Sequence, residues 1–290
     1  MFVDGINVHT DHNNIDLVKK IGCRWVRVDL YWWDIEPQNG KYSWSKTDAL
    51  INAYKSAGIS IYATLMGSPP WHKSKFTDPP DPATWACFCR DVAKRYQGKI
   101  SVYSLWNEPN LGKHHFWNGT MKEFFEVIIV NGYKAIKGVN PSLIVAGADF
   151  ATNSSSDWTS WLTMMRKYNK YVDLVSIHSY KDTGKEVVNA FTKGKCPILN
   201  WMIPKWRPYN QYLKKICKPV FLTEAGIEAR YGNGKEMSKQ YDFVKYIQEH
   251  TDEMKVGAAI FYCLRDDNSG VEGPFGFYTH DKKPKTVVSG

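Results

Sequence analysis

Two glutamates stand where apolar runs stop. In SLWNEPN, residues 104–110, a run carrying Ile100, Val102, Tyr103, Leu105 and Trp106 gives way at Asn107 to Glu108 and Pro109. In KPVFLTEAGI, residues 218–227, a second run ends on Glu224. A single glutamate there has a plain reading: Asn and Pro favour turns, and the carboxylate then only meets water. Two of them facing one cavity can do acetal chemistry. One, protonated, donates to the leaving oxygen; the other, ionised, attacks the anomeric carbon. Their surroundings must then differ enough to keep one protonated and the other charged.

Whether they face one cavity depends on the elements that carry them. Apolar runs of strand length fall at about 2–8, 23–29, 59–66, 101–107, 143–148, 172–178, 219–223 and 256–262. Amphipathic stretches of helical period lie between them at 16–21, 45–57, 82–96, 121–137 and 235–250. Gly22, Gly58, Gly98 and Gly138 read as helix stops. No Pro/Gly/Ser-rich linker divides the chain, so the prediction is one α/β domain over 1–290, a (β/α)8 TIM barrel. Links into strands are short. Links out of them, at 30–44, 67–81, 109–119, 179–200 and from 264 onward, are long, and such loops build the active face of this fold. After Tyr262 no long helical pattern follows, so the eighth helix is expected to be short or degenerate. Glu108 and Glu224 then sit at the ends of strands four and seven, on the same face.

Composition narrows the partners. Of 290 residues 43% are hydrophobic, enough for a sizeable core, and no window of 18 apolar residues offers a membrane span. The N-terminus lacks a signal-peptide pattern, and a secreted or extracytoplasmic setting is the expectation. The formal charge of +9 is scattered, with clusters only at KGK 193–195 and KKPK 282–285, and no nucleic-acid module is recognisable. The six cysteines fit no zinc pattern. Cys87 and Cys89 point apart on a helix, Cys23 and Cys263 fall in core strands, and Cys196 and Cys217 bracket a segment they are able to bridge. The aromatic content, 12 Trp, 17 Tyr and 13 Phe, is concentrated partly in loop text at Trp32, Trp33, Trp71, Trp117, Trp201 and Trp206. Loop aromatics suit a groove for flat, weakly apolar sugar rings, or else they close over the core. Asn118-Gly-Thr and Asn153-Ser-Ser are glycosylation sequons.

With these residues in place the chain resembles the retaining glycoside hydrolases of clan A, the 4/7 superfamily, and most of all family 39-like or family 5-like endoglycosidases. WNEPN is similar to that clan's acid/base motif and LTEAG to its nucleophile strand; residues 25–65 and VSIHSY, 175–180, add to the likeness. The resemblance implies Glu108 as acid/base and Glu224 as nucleophile. It implies Asn107 on the sugar 2-hydroxyl, Tyr180 donating to Glu224, and Arg27 at the end of strand two keeping that carboxylate ionised. His9 and His178 would line the donor subsite, and Tyr262 or Arg265 stand where family 5 members often carry Trp. TEAG also departs from the TEFN of family 39 xylosidases. Trp71, Trp117 and Trp206 are the expected sugar platforms.

Other candidates have bland readings. His114-His115 lack partner carboxylates and read as surface loop, and no metal or organic cofactor is expected. Glu36 reads as a loop brace, Asp29 as the partner of a nearby Arg, and Glu228, Asp266, Asp267 and Glu272 as rim groups. The stretch 193–215 is basic and aromatic together, a mixture fit for an acidic glycan. The expected function is a retaining, endo-acting β-glycoside hydrolase on a neutral or anionic polysaccharide or oligosaccharide, working as a monomer. A carbohydrate-binding barrel, or a transglycosylase using the same residues, is the alternative.

Overall fold

The computed structural model describes residues 3–111, 116–152, 157–193, 214, 216, 218–267 and 272–285. Eight parallel strands form one sheet: β1 (Gly5–His9), β2 (Trp25–Tyr31), β3 (Ser60–Met66), β4 (Val102–Asn107), β5 (Ile144–Ala151), β6 (Leu174–His178), β7 (Val220–Glu224) and β8 (Ile260–Phe261). Each pairs with its sequence neighbour up to β7, and β8 pairs with β1. Leu222 of β7 bridges Ala259, just ahead of β8, and this closes the barrel. The expected (β/α)8 architecture is therefore present.

Helix ends follow local chemistry. Asp81 caps Pro82–Tyr96, accepting from the amides of Ala83 and Thr84, with Pro at the first turn. Thr120 with Glu123, and Thr183 with Glu186, form reciprocal capping boxes. The expected helix at 121–137 is broken in type: Met121–Glu123 passes through a π-helical stretch, Phe124–Val130, into Asn131–Val139. Gly138 accordingly lies inside that last segment and does not stop it. Trp158–Lys167 and Gly184–Thr192 follow β5 and β6. Among the described residues no helix follows β8; Tyr278 instead bridges Arg265 and Pro284.

The barrel interior is layered by the two-residue period of its strands. Tyr62, Val102, Ala146, Leu174 and Ile260, with Trp25 and Phe221, plug it with apolar side chains, each from a different strand. Two residues further along come Asn7, Arg27, Thr64, Ser104, Ser176 and Thr223, all buried and polar. The alternation then fails near the strand ends. Bulges interrupt β1 between Asn7 and His9, the β5–β6 pair between Gly147 and Phe150, and the β6–β7 pair at Ile177/His178. In β4, Trp106 adopts φ 80°. The breaks in β4, β5 and β7 turn Asn107, Asp149 and Glu224 inward, where strict alternation would send them outward.

Candidate active site

The end of β4 shows how the sequence builds such a break. By alternation Trp106 would face the barrel interior and Asn107 its outside. Instead the Trp106 indole packs against Trp85 and Trp117, at ring separations of 5.6 and 5.5 Å, and donates to the Phe116 carbonyl at 2.7 Å. The left-handed backbone of a bulky residue costs roughly 1–3 kcal/mol and persists only where packing over-determines it. Here a buried aromatic cluster does so. Glu108 follows at φ 41°, its amide donating to the Asp149 carbonyl at 2.9 Å. Asn110 then locks the turn, exchanging hydrogen bonds with the Ala151 main chain at 2.6 and 3.0 Å. SLWNEPN is a twisted strand end that aims Asn107 and Glu108 into one cavity.

That cavity has a volume of about 660 Å³. Both glutamates line it, with Asn107, Arg27, His9, Asp29, Tyr180, Tyr262 and Glu272, and with an aromatic and aliphatic wall of Tyr31, Trp33, Met66, Phe76, Leu111 and Phe116. One carboxylate oxygen of Glu108, one of Glu224 and a ring nitrogen of His178 lie within 4.8 Å of one another. Among the described residues this is the one group of three metal-ligating side chains so close together, yet the Arg27 guanidinium on Glu224 opposes a cation there.

The two carboxylates are held differently. Glu224 Oε1 accepts a short hydrogen bond from Arg27 and one from Asn7 Nδ2 at 3.3 Å; Oε2 accepts from Tyr180 at 2.7 Å. Glu108 Oε1 meets His178 Nδ1 at 2.7 Å, and the same nitrogen lies 3.4 Å from Glu224. Burial pushes the Tyr180 hydroxyl well above its ordinary range and Glu224 adds to this, so Tyr180 stays a donor. For Arg27 burial disfavours the charge, but Glu224, Asp149 and Asp29 outweigh it and hold the guanidinium firmly charged. Burial likewise opposes a charged His178, while Glu224 and Glu108 together raise its basicity.

The other expected residues divide. Arg27 lies mid-strand in β2, not at its end, and its Nη2 donates to Asn107 Oδ1 at 2.7 Å. That bond leaves the Asn107 Nδ2 as the group to meet a ligand. His9, at φ 51°, holds Asp29 at 2.8 Å and stands edge-on to Tyr262. Asp29 pairs with this imidazole more closely than with Arg27, which is 3.8 Å away. Tyr262 donates to Glu272. Glu36 braces its loop, accepting from Trp32 and from the Gly40 amide at 2.7 and 2.8 Å.

Two platforms require correction. Trp117 is 1% exposed and belongs to the core; its loop-like text concealed an indole that donates to Thr120 and packs on Trp106 and Phe124. Trp71 is part-buried, bonds the Glu36 carbonyl at 2.7 Å, packs against Trp32, and is absent from the cavity wall. Trp206, His114-His115, Cys196, Cys217, the sequon at 153–155 and most of 193–215 lie outside the described residues. The rings that do line the cavity include Trp33, stacked on Tyr31, and Phe76, which is 42% exposed. Asn7 and Asp149 escaped the sequence reading, because each lies within an apolar strand run.

Comparison with known proteins identifies the family. A family model described as cellulase (glycosyl hydrolase family 5) matches residues 3–258. The chain belongs to that family. It is thereby a clan A glycoside hydrolase by descent, as its motifs implied. A β-xylosidase of Caldicellulosiruptor saccharolyticus is 30% identical over 181 residues, which cover 53% of this chain and 35% of that protein. The chain thus spans about a third of that relative's length. Among solved structures, a family 39 glycoside hydrolase from Bacteroides cellulosilyticus WH2 superposes with a TM-score of 0.70 at 18% identity, covering 98% of this chain and 61% of that one. Xylanase 10B of Thermotoga petrophila RKU-1 superposes with a TM-score of 0.73 at 12% identity, covering 99% and 92%. These two likenesses are of fold.

Proposed function

We propose that this chain hydrolyses a β-linked polysaccharide by double displacement with retention, acting within the polymer. The observation that carries the reading is the unequal support of two carboxylates whose oxygens approach within 4.8 Å. Retaining enzymes separate the carboxyl groups by about 5–5.5 Å, and inverting ones by about 6.5–9.5 Å to admit a water. Arg27, Asn7 and Tyr180 each give Glu224 a hydrogen bond and fix its carboxylate in place, which suits a nucleophile. Among the described residues Glu108 has only His178 as a side-chain hydrogen-bond partner, which leaves it able to carry a proton to the leaving oxygen.

In the first step Glu108 gives its proton to the glycosidic oxygen while Glu224 bonds to the anomeric carbon and the leaving group departs. In the second, Glu108 takes a proton from water, which displaces Glu224 and restores both carboxyls. The Asn107 amide is suited to the sugar 2-hydroxyl. Action within a polymer is supported by two flanking cavities. One of about 650 Å³ shares His9 and Glu272 with the central one, and one of about 700 Å³ shares Tyr180 and Phe275. Both adjoin the central cavity around Tyr262, which touches His9, Tyr180, Phe275 and Glu272, and they lengthen the cleft on that side.

The test is oligosaccharide release from xylan, mannan, β-glucan and acidic polysaccharides, read by mass spectrometry, for wild type and Glu224→Gln. Release of several product lengths by wild type alone is expected. Equal release by both proteins, or binding with no release, contradicts the reading.

A further inference from the structure

Asp149 is fully buried on β5, and no step above uses it. Its Oδ2 accepts from Arg27 Nη2 at 3.0 Å and from Thr64 at 3.1 Å; its Oδ1 accepts from Tyr62 at 2.6 Å and from Thr223 at 3.0 Å. Its own carbonyl takes the Glu108 amide at 2.9 Å. The residue therefore reaches both glutamates. The main chain fixes the left-handed turn at Glu108, and the side chain anchors both Arg27, which holds Glu224, and Thr223, which precedes it.

We propose that Asp149 is a positioning residue: its ionised carboxylate fixes Arg27 and shares that guanidinium's charge with Glu224, so that Glu224 stays basic enough to attack. The inference rests on Glu224 being the nucleophile. A lone guanidinium in direct contact would hold Glu224 charged but make it a poor base, because each step toward a tighter ion pair lowers basicity. Here one buried Arg27 serves Glu224, Asp149 and, at 3.8 Å, Asp29. Burial works against an ionised Asp149, but Arg27 and His178 overcome it and keep its carboxyl below the usual range. The charged and titratable groups around this point are Arg27 and Asp29 of β2, Tyr62 of β3, Glu108 after β4, His178 of β6 and Glu224 of β7.

Asp149→Asn isolates the charge. Its carbonyl still accepts from Arg27, which can only donate, and its amide donates to the Tyr62 and Thr223 hydroxyls, which can turn and accept. With one anion gone, Arg27 bears more heavily on Glu224. The acid limb of kcat/KM then moves down by about one pH unit and kcat falls roughly ten-fold, while KM stays within a few-fold because Asp149 touches no ligand. Tyr62→Phe removes a hydrogen bond and leaves the charge, so its limb stays in place.

Both variants would be profiled on the polysaccharide that wild type cleaves. In parallel, the ¹³C-carboxyl titration of Glu224, assigned with Glu224→Gln, would be followed without turnover. Limb and titration moving down together in Asp149→Asn alone is the expected result. A Glu224 titration unchanged in Asp149→Asn, or a limb moved as far by Tyr62→Phe, overturns the proposal. Should Asp149→Asn not fold, wild type decides. The Asp149 resonance must remain that of a carboxylate throughout the acid limb, and titration with the limb overturns the proposal. Absence of turnover in wild type would sink the nucleophile assignment, yet the Glu224 titration would still report on Asp149.

Discussion

The ends of β7 and β4 carry the same side chain in opposite settings. At β7 a bulged strand delivers Glu224 to Arg27, Asn7 and Tyr180, each giving it a hydrogen bond. At β4 the chain twists through two left-handed residues, Trp106 and Glu108, and presents a carboxyl that among the described side chains is hydrogen-bonded only by His178. Identical chemistry is divided by surroundings: a dense set of donors makes a nucleophile, and a sparse one makes a proton carrier. The strain is spent on the residue that must both give and take a proton. The residue that must stay charged is held by partners instead.

The comparison breaks most visibly at Glu224. Glu224→Gln is expected to lower kcat on the order of 10⁴-fold or more on every substrate, since no leaving group replaces a nucleophile. Glu108→Gln should cost roughly 10²- to 10⁴-fold in kcat/KM on polysaccharide but far less in kcat/KM on aryl glycosides, whose leaving phenols need little protonation, although the second step is slowed on both. Values of kcat/KM on both substrate types separate the two roles. If both variants lose activity equally on aryl glycosides, the division of labour fails. Tyr180→Phe removes one hydrogen bond to a charged group and should lower kcat roughly 10- to 100-fold without abolishing it.

Smaller effects sharpen the picture around the pair. Trp33→Ala should raise KM for oligosaccharides up to roughly ten-fold with kcat preserved, the scale of a lost ring contact, measured on products of defined length. A change in kcat alone would remove Trp33 from the binding wall. Asp29 is buried, which disfavours its charge, but its His9 and Arg27 contacts hold its carboxyl at about 2. With the folded value depressed, its stabilising effect is complete above the ordinary Asp value of about 3.9 and is lost as pH falls through about 2. Asp29→Asn should therefore flatten thermal stability between about pH 4 and pH 2, and because, against burial, Asp29 also raises the basicity of His9, the pH dependence above that window changes too.

The barrel was legible because burial and period agree along most of the chain. Pro82–Tyr96 and Ser45–Ser56 sit within a residue of their patterns, and seven strands lie close to their apolar runs. β8 shrinks most, to Ile260–Phe261. The two glutamates were legible because a carboxylate closing an apolar run is conspicuous. Asn7 and Asp149 were not, since in GINVH and IVAGADFA they are enclosed by apolar neighbours, and what they touch is far away in sequence: Asn7 reaches Glu224, and Asp149 reaches Tyr62 and Thr223. Bulges hid the rest. A two-residue period sends Thr223 inward and Glu224 outward, and only the extra residue in β7 brings both inside. Trp117 misled for the reverse reason: loop text says nothing of an indole whose polar edge is satisfied by Thr120.

The most direct test of the central claim is covalent capture. Wild type would be incubated with β-glycosyl fluorides carrying a second fluorine at C2, in the gluco and xylo series, and its peptides examined by mass spectrometry. The account predicts a single glycosyl adduct on the carboxyl of Glu224, absent in Glu224→Gln. An adduct on Glu108, or release of the inverted sugar with no adduct, would contradict it.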